Sequence, residues 1–357
     1  MSDTDNLSGL MLEQADRLFE GEVTGARLKD ADEGRWPAEL WDAVEAQGLT
    51  LALVPEAEGG IGLSMADALA LVGRSAWRNL PLPLAETMVA AGLWAEAGGD
   101  GLSGPLSFGP ATPGDAIGIS ESGDGYALSG VASHVPWGLE AGHVLLQAAS
   151  ASGDAFLALM PKGTAEGTVR LNMAREPRAT LALDGVTLPR ERVRPAPPSA
   201  AAGLLAIGAM LRARQMVGTM ERAMDYAVTY AGERRQFGRT LSKFQAIQHM
   251  LAEAAGHLAA SEAASQLAGE AYGTAGFAFA AAVAKSRVGE AAGKVAEICH
   301  QVHGAMGFTQ DHPLHFTTRR LWSWRDEFGH EAYWQARIGR EVCAAGGEAL
   351  WPSLAGG

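Results

Sequence analysis

The chain has 357 residues, with 28 Lys and Arg against 41 Asp and Glu, a net charge of −13. A 47% hydrophobic and 19% charged composition is that of a core-forming globular chain, not a disordered one. The acidic balance excludes a general nucleic-acid binder, which needs a basic surface to displace counterions. Two cysteines, Cys299 and Cys343, exclude both a disulfide scaffold and a CxxC site.

Met1–Leu10 is polar and acidic and lacks the basic and apolar regions of a signal peptide. The apolar run Phe277–Val283 is closed by Lys285 and Arg287, too short for a membrane span. A cytoplasmic location is the expectation.

In chain order, three textures follow one another. The first is helical. Leu10, Leu12, Ala15, Leu18 and Phe19 form a helical stripe. Pro37 precedes a second helix over Ala38–Gln47, closed by Gly48. Ser64 is placed as an N-cap for a third, Met65 to about Ser75, and the Pro81/Pro83 break precedes a fourth. From about Gly104 to Pro198 short alternating runs are separated by Gly, Asp, Ser and Pro. Tyr126–Ser129, His143–Ala148, Ala155–Met160, Thr168–Leu171 and Ala179–Leu183 are the strand candidates. They predict a small antiparallel β domain. Helical texture then returns in Leu204–Tyr230, Ser242–Tyr272 and Phe277–His303, long Ala-rich segments expected to pack closely as a bundle. Loop-like breaks fall at Gly232–Thr240 and Gly304–Leu314. The predicted division is 1–103, an N-terminal helical domain; 104–198, a middle β domain; and 199–357, a C-terminal helical bundle.

Two segments carry chemistry. One is Glu233-Arg234-Arg235-Gln236-Phe237-Gly238-Arg239 with Phe244-Gln245-Ala246-Ile247-Gln248; the other is Gln301-Val302-His303-Gly304-Ala305-Met306-Gly307-Phe308-Thr309. Arginine offers a planar fork of donors to phosphate, Phe237 a face for an aromatic base, and Gly304 and Gly307 a close backbone approach. Each alone also reads as an exposed helix end, plain core or a plain turn. His300 and His303 stand three apart, a spacing compatible with a metal, but no complete ligand set accompanies them and no metal site is expected.

Together, in this order, the segments resemble the acyl-CoA dehydrogenase family. R-x-x-F-G with F-Q-x-I-Q and H-G-x-x-G-F-T are similar to motifs of its C-terminal bundle. Val54-Pro55-Glu56 and Gly59-Gly60-Ile61-Gly62 resemble a turn of its first domain, and Leu183–Pro189 resembles its last β-domain strand. The resemblance covers nearly the whole chain. It implies a mainly α fold with a middle β domain and a C-terminal four-helix bundle. It implies FAD, placed at Arg234, Phe237, Leu241, Phe244, Gln301 and Gly304, with the two segments coming from different subunits to sandwich one cofactor, and hence at least a dimer. It implies α,β-dehydrogenation of an acyl-CoA thioester. In that reaction a carboxylate removes the α proton, and a hydride passes from Cβ to flavin N5. An electron-transferring flavoprotein is the implied acceptor.

The residue expected as base is Glu327. Family spacing lands on Phe328, directly before Gly329, so Glu327 serves only after a slip of one residue. The other family position for a base falls near Gly208, and Ala200–Thr219 contains no carboxylate. Burial beside substrate is expected to raise the Glu327 pKa. The alternative is that Arg325-Asp326-Glu327 is a solvated or salt-bridged helix end. Other departures accumulate. Ser107–Asp115 stands where the family has a T-E-P-x-x-G-S-D loop. Ser133–Gly138 replaces a W-I-T-like strand, with Trp137 either beside the flavin or in the core. Ala209 takes a CoA-contacting basic position, with Arg212 and Arg214 off register. His330-Glu331-Ala332-Tyr333 replaces T-x-x-Q. These losses, and Leu321–Gly329, resemble a branch forming α2β2 heterotetramers in bacterial steroid side-chain degradation. Two functions therefore stand: a dehydrogenase, as homo-oligomer or heterotetramer with a homologous subunit, or a non-catalytic, cofactor-sharing subunit of such a heterotetramer. No sign favours a monooxygenase or nitroalkane oxidase on the same fold.

Overall fold

A computed structural model describes residues 3–349, and side chains from residue 7. Five helices come first: α1 (Asp3–Glu22), α2 (Gly25–Asp32), α3 (Ala38–Ala46), α4 (Met65–Trp77) and α5 (Leu84–Glu96). The Ser64 side chain accepts from Asp67 N and caps α4. Every residue of α5 from Leu84 to Trp94 is buried, as expected of a helix with apolar or small residues on all sides.

Nine strands follow: β1 (Leu106–Gly109), β2 (Ile117–Ser122), β3 (Gly125–Pro136), β4 (His143–Ala149), β5 (Ala155–Pro161), β6 (Glu166–Leu171), β7 (Pro177–Ala182), β8 (Thr187–Pro189) and β9 (Val193–Pro195). Their order is β6-β7-β3-β2-β4-β5-β9, with β1 beside β4 and β8 beside β3. The sheet is mixed, a correction to the antiparallel expectation: β1 and β2 both run parallel to β4. β1 and β2 lie in the Gly-, Pro- and Asp-rich stretch where alternation is too short to read. In β3 the register shifts between Ala132 and Val135, and His134 there adopts φ 56°. This bulge turns the strand from β2 towards β7 and re-aims His134.

The C-terminal part comprises α6 (Leu204–Glu233), a hairpin of β10 (Arg235–Gln236) and β11 (Arg239–Thr240), α7 (Gln245–Glu270), α8 (Phe277–His303), α9 (Leu314–Asp326) and α10 (Glu331–Ala345). Short connections make α7 antiparallel to both neighbours, so α6 and α8 run parallel. Tyr230 stacks on His303 at their C-terminal ends, 4.7 Å between ring centroids. The α4–α6 crossing is close: a Cβ on Gly218 would stand 2.1 Å from the Gly73 carbonyl oxygen. One apolar core runs through the N- and C-terminal helices, and a smaller one lies within the sheet.

Candidate active site and cofactor surfaces

Because α6 and α8 are parallel, the hairpin after α6 meets the turn after α8 at one end of the bundle. Arg234, Leu241, Gln301 and Gly304 line one cavity there, of about 460 Å3, with Tyr230 and His303 in its wall. Phe237 and Phe244 stand beside it on the hairpin, edge to face at 6.3 Å. Phe237 is 91% exposed and holds φ 50°; Phe308 on the facing turn is 72% exposed. Both segments of a single chain thus share one surface. The cause is the parallel run of the two helices.

This surface suits a dinucleotide. Among the described residues neither Arg234 nor Arg235 has an ion-pair partner, although acids outnumber bases in the chain. Arg239 lies over the Phe244 ring at 4.1 Å. Unpaired guanidinium forks and a bare aromatic ring are what a pyrophosphate and a purine recognise. Gly304, at φ 60° and ψ −141°, has open space at its Cβ position, so backbone can meet a ligand closely. His300 and His303 serve packing: His300 stacks on Phe308 at 4.4 Å, and the His303 ring is hydrogen-bonded to Cys299 O at 2.7 Å.

A second cavity, of about 600 Å3, opens between the sheet and the α9–α10 junction. Three segments that depart from family pattern converge on it. Ala111–Pro113 forms one edge, His134 another, and Gly329, His330 and Tyr333 a third. The Asp115 carboxylate joins the first two by accepting from Ser133 N at 2.6 Å and Ser133 Oγ at 3.1 Å. Trp137 is not in this wall; it is buried with the Arg178 guanidinium 4.9 Å above its ring. Ala209 is fully buried, and Arg214 pairs with Glu262.

Glu327 sits at the base of this second cavity, and its carboxylate is fully engaged. Arg178 Nε donates to Oε1 at 2.8 Å and its NH2 to Oε2 at 3.0 Å. Arg212 Nε donates to Oε2 at 2.7 Å, and Asn172 Nδ2 to Oε1 at 2.9 Å. Burial alone would raise its pKa, but Arg178 and Arg212 together bring it down to about 2. This differs from the expected rise, because two buried guanidinium groups face the carboxylate in place of an apolar wall. Arg325 does not pair with it; Arg325 Nε binds Glu331 Oε1 at 2.6 Å.

The pairs form a buried ladder. Glu86 on α5 binds Arg212 at 2.7 Å, and Arg178 binds Glu176 at 2.8 Å. Glu176 also meets Arg320 at 3.1 Å and accepts from Trp324 Nε1 at 3.1 Å. Three carboxylates and three guanidiniums alternate, and the ladder is neutral. The sequence reading missed Glu86, Arg178 and Glu176; an arginine among apolar residues of a helix, as Arg212 is, was the available signal that a buried acid must exist.

The two family base positions meet face to face. Phe328 is buried, and a Cβ on Gly208 would stand 2.1 Å from its ring. The Phe108 ring lies 5.4 Å away and the Arg212 guanidinium 5.3 Å.

Residues 199–341 match the model of the acyl-CoA dehydrogenase C-terminal domain. The chain is 30% identical over 339 residues to acyl-CoA dehydrogenase FadE34 of Mycobacterium tuberculosis, an alignment covering 89% of this chain and 45% of that protein. The C-terminal part is thus that of an acyl-CoA dehydrogenase, and the chain as a whole is similar to members of that family. FAD is the cofactor of this family, and the arginine-rich hairpin surface fits it. The fold superimposes on the ChsE4–ChsE5 complex of M. tuberculosis with a TM-score of 0.85, at 22% identity over 96% of this chain and 98% of that one. It superimposes equally, TM-score 0.85 at 26% identity, on the Tcur3481–Tcur3483 steroid ACAD, covering 96% of this chain and 99% of that one. The chain therefore spans less than half the length of FadE34 but the full fold of the structural relatives. No helix among its described residues is long and apolar enough to cross a membrane.

Proposed function

We propose that this chain is the cofactor-sharing, non-catalytic subunit of a heteromeric acyl-CoA dehydrogenase, lending its hairpin surface to a flavin held by a homologous partner. Family and fold support a place in acyl-CoA dehydrogenation generally. The observation that carries the finer reading is the engagement of Glu327. A general base needs a pKa near the working pH and a free lone pair aimed at the proton it removes. Glu327, at about 2 and held by four N–H donors, has neither. Phe328 and Gly208 leave the alternative positions without a carboxylate. The hairpin end keeps what a shared dinucleotide requires: Arg234, Phe237 and Gln301 at the surface and Gly304 open.

In this reading Arg234 and Arg235 hold the pyrophosphate, Phe237 covers the purine, and Gln301 and the Gly304 backbone fix the ribose side. FAD, when bound, supplies the hydride acceptor. The proton-removing carboxylate and the acyl-CoA site belong to the partner, and reducing equivalents leave to an electron-transferring flavoprotein. The steroid ACAD and the ChsE4–ChsE5 complex are two-component assemblies by name, which supports an unlike partner.

The test is the visible spectrum of the purified chain, alone and co-expressed with a homologous subunit, before and after anaerobic acyl-CoA. The chain alone is expected to be colourless. The complex is expected to be yellow and to bleach, with bleaching unchanged by Glu327→Gln provided the variant folds. A chain that is yellow alone and bleached by an acyl-CoA would overturn the proposal.

A further inference from the structure

We infer that Phe328 is a built-in plug: its ring occupies the space in which this chain would otherwise hold a short acyl group, and Gly208 is the seat shaped to receive it. This deepens the reading of the chain as the non-catalytic subunit and rests on it.

Three observations carry the inference. First, the seat is complementary to the ring. A methyl at Gly208 would lie 2.1, 2.3 and 2.5 Å from three atoms of the Phe328 ring, so no other residue type leaves room for it. Second, the backbone is forced. Phe328 holds φ 52°, a region that bulky residues rarely enter, and Gly329 follows at φ 87°. The segment is clamped on both sides. Lys285 Nζ donates to Arg325 O at 2.6 Å and to Gly329 O at 2.7 Å, and Trp334 Nε1 donates to Phe328 O at 2.9 Å. A strained residue that its surroundings over-determine is where a functional constraint is sought. Third, the ring is turned out of the neighbouring cavity and into the core. Glu327 and Gly329 line the 600 Å3 cavity, whereas Phe328 between them points away from it, towards Phe108 and Gly208.

The chemistry of the space names the ligand. Phe108 and the Gly208 backbone offer an apolar wall, and Arg212 lies at its edge, 5.3 Å from the ring. Arg212 only borders the space, since its guanidinium is committed to Glu327, Gln215 and Glu86; an apolar tail fits the wall, and a hole the size of one aromatic ring takes a tail of a few carbons. Apolar cavities opened by removing a large side chain do bind apolar ligands of matching size.

The experiment titrates butyryl-CoA into the full-length chain and its variants by calorimetry, with urea unfolding in parallel. The native chain is expected to give no binding heat. Phe328→Ala is expected to bind at least tenfold more tightly than the native chain. Gly208→Ala alone is expected to lower the urea midpoint, because its methyl meets the ring. In the Phe328→Ala background the same methyl fills the emptied seat, so it should raise the midpoint and abolish the gained binding. If Phe328→Ala does not fold, Phe328→Leu carries the same comparison with a partly opened seat. Equal binding by native and variant, no binding by a folded variant, or a Gly208→Ala midpoint equal to the native one would each overturn the plug. The flavin content of the co-expressed complex separates the two claims: its absence would strike the proposed function while these binding and stability results stood.

Discussion

At the scale of single residues, the ionisation of Glu327 is set by what surrounds it. Its carboxyl group falls from an ordinary 4.5 to about 2 in the folded chain. A depressed carboxylate contributes stability that is fully present above the unfolded value and is lost as pH falls from about 4.5 towards 2. The size of that contribution is about 3 kcal/mol, at about 1.4 kcal/mol per pH unit. Urea midpoints measured between pH 6 and 2.5 should therefore drop more steeply for the native chain than for Glu327→Gln. That variant should itself be destabilised at neutral pH by about 3–5 kcal/mol, because Arg178 and Arg212 would share a buried excess charge. Lys285 gives the opposite signature. Burial pulls its amine down to about 7, which the nearby Glu331 and Glu327 only partly offset. The unfolded chain then binds the extra proton between pH 7 and 10.5, so stability rises with pH across that window. Lys285→Met should lose that slope when native and variant are compared at pH 7 and 9.5. Glu327 was legible in the sequence as the nearest carboxylate to the family position. Its engagement was not, because Arg178 and Asn172 lie about 150 residues upstream and only the tertiary fold sets them opposite it.

At the scale of elements, the hairpin between α6 and α7 has little structural duty, which leaves it free for the cofactor role proposed above. Its residues from Arg235 to Arg239 are exposed, and among the described residues the Phe237 ring meets one other ring, that of Phe244. Arg234→Ala and Phe237→Ala should therefore shift the unfolding midpoint by no more than about 0.5 kcal/mol, as expected of surface positions. Flavin retained by the co-expressed complex through gel filtration should fall at least tenfold, since each loses one phosphate or purine contact. Unchanged flavin content would show that the hairpin does not serve the cofactor. The elements themselves were legible where periodicity is long: α6, α7 and α8 begin within three residues of the pattern. The helix α9 was read only as a possible helix end at Arg325-Asp326-Glu327, although Leu314–Asp326 is regular. Its buried face carries Thr317, Thr318, Arg320 and Ser323 beside Leu314 and Leu321, so polar residues interrupt the apolar stripe that would announce it. Those polar residues are there because α9 packs against the charge ladder and against His300, whose Nε2 meets Thr318 Oγ1 at 2.9 Å.

At the scale of the whole molecule, the ladder from Glu86 to Arg320 ties α5, α6, β7 and α9 together across all three parts of the chain. Its second member is Arg212, which is held by Glu86 and Glu327 at once. Arg212→Met should cost about 3–5 kcal/mol, as removal of one partner from a buried network does. The loss should appear as a lower urea midpoint with an unchanged slope if the three parts unfold as one. A second, separate transition would show that the ladder is what couples them. The mixed direction of the sheet also belongs to this scale. Parallel β1 and β4 cannot be joined by a tight turn, and no local turn signal reveals their pairing.

The parallel course of α6 and α8 has one more consequence. Lys285 stands near the ladder and His303 near the hairpin, and the helix between them is about 27 Å long at about 1.5 Å per residue. Substitutions separated by more than about 10 Å with no shared neighbours act additively. The two ends of this bundle are thus energetically independent. Mutations could fill and neutralise one end without disturbing the other, and after a gene duplication each copy could lose the function its sister retained. A pair of such copies would then be obligate, not because either fails to fold, but because each keeps only half of one binding site.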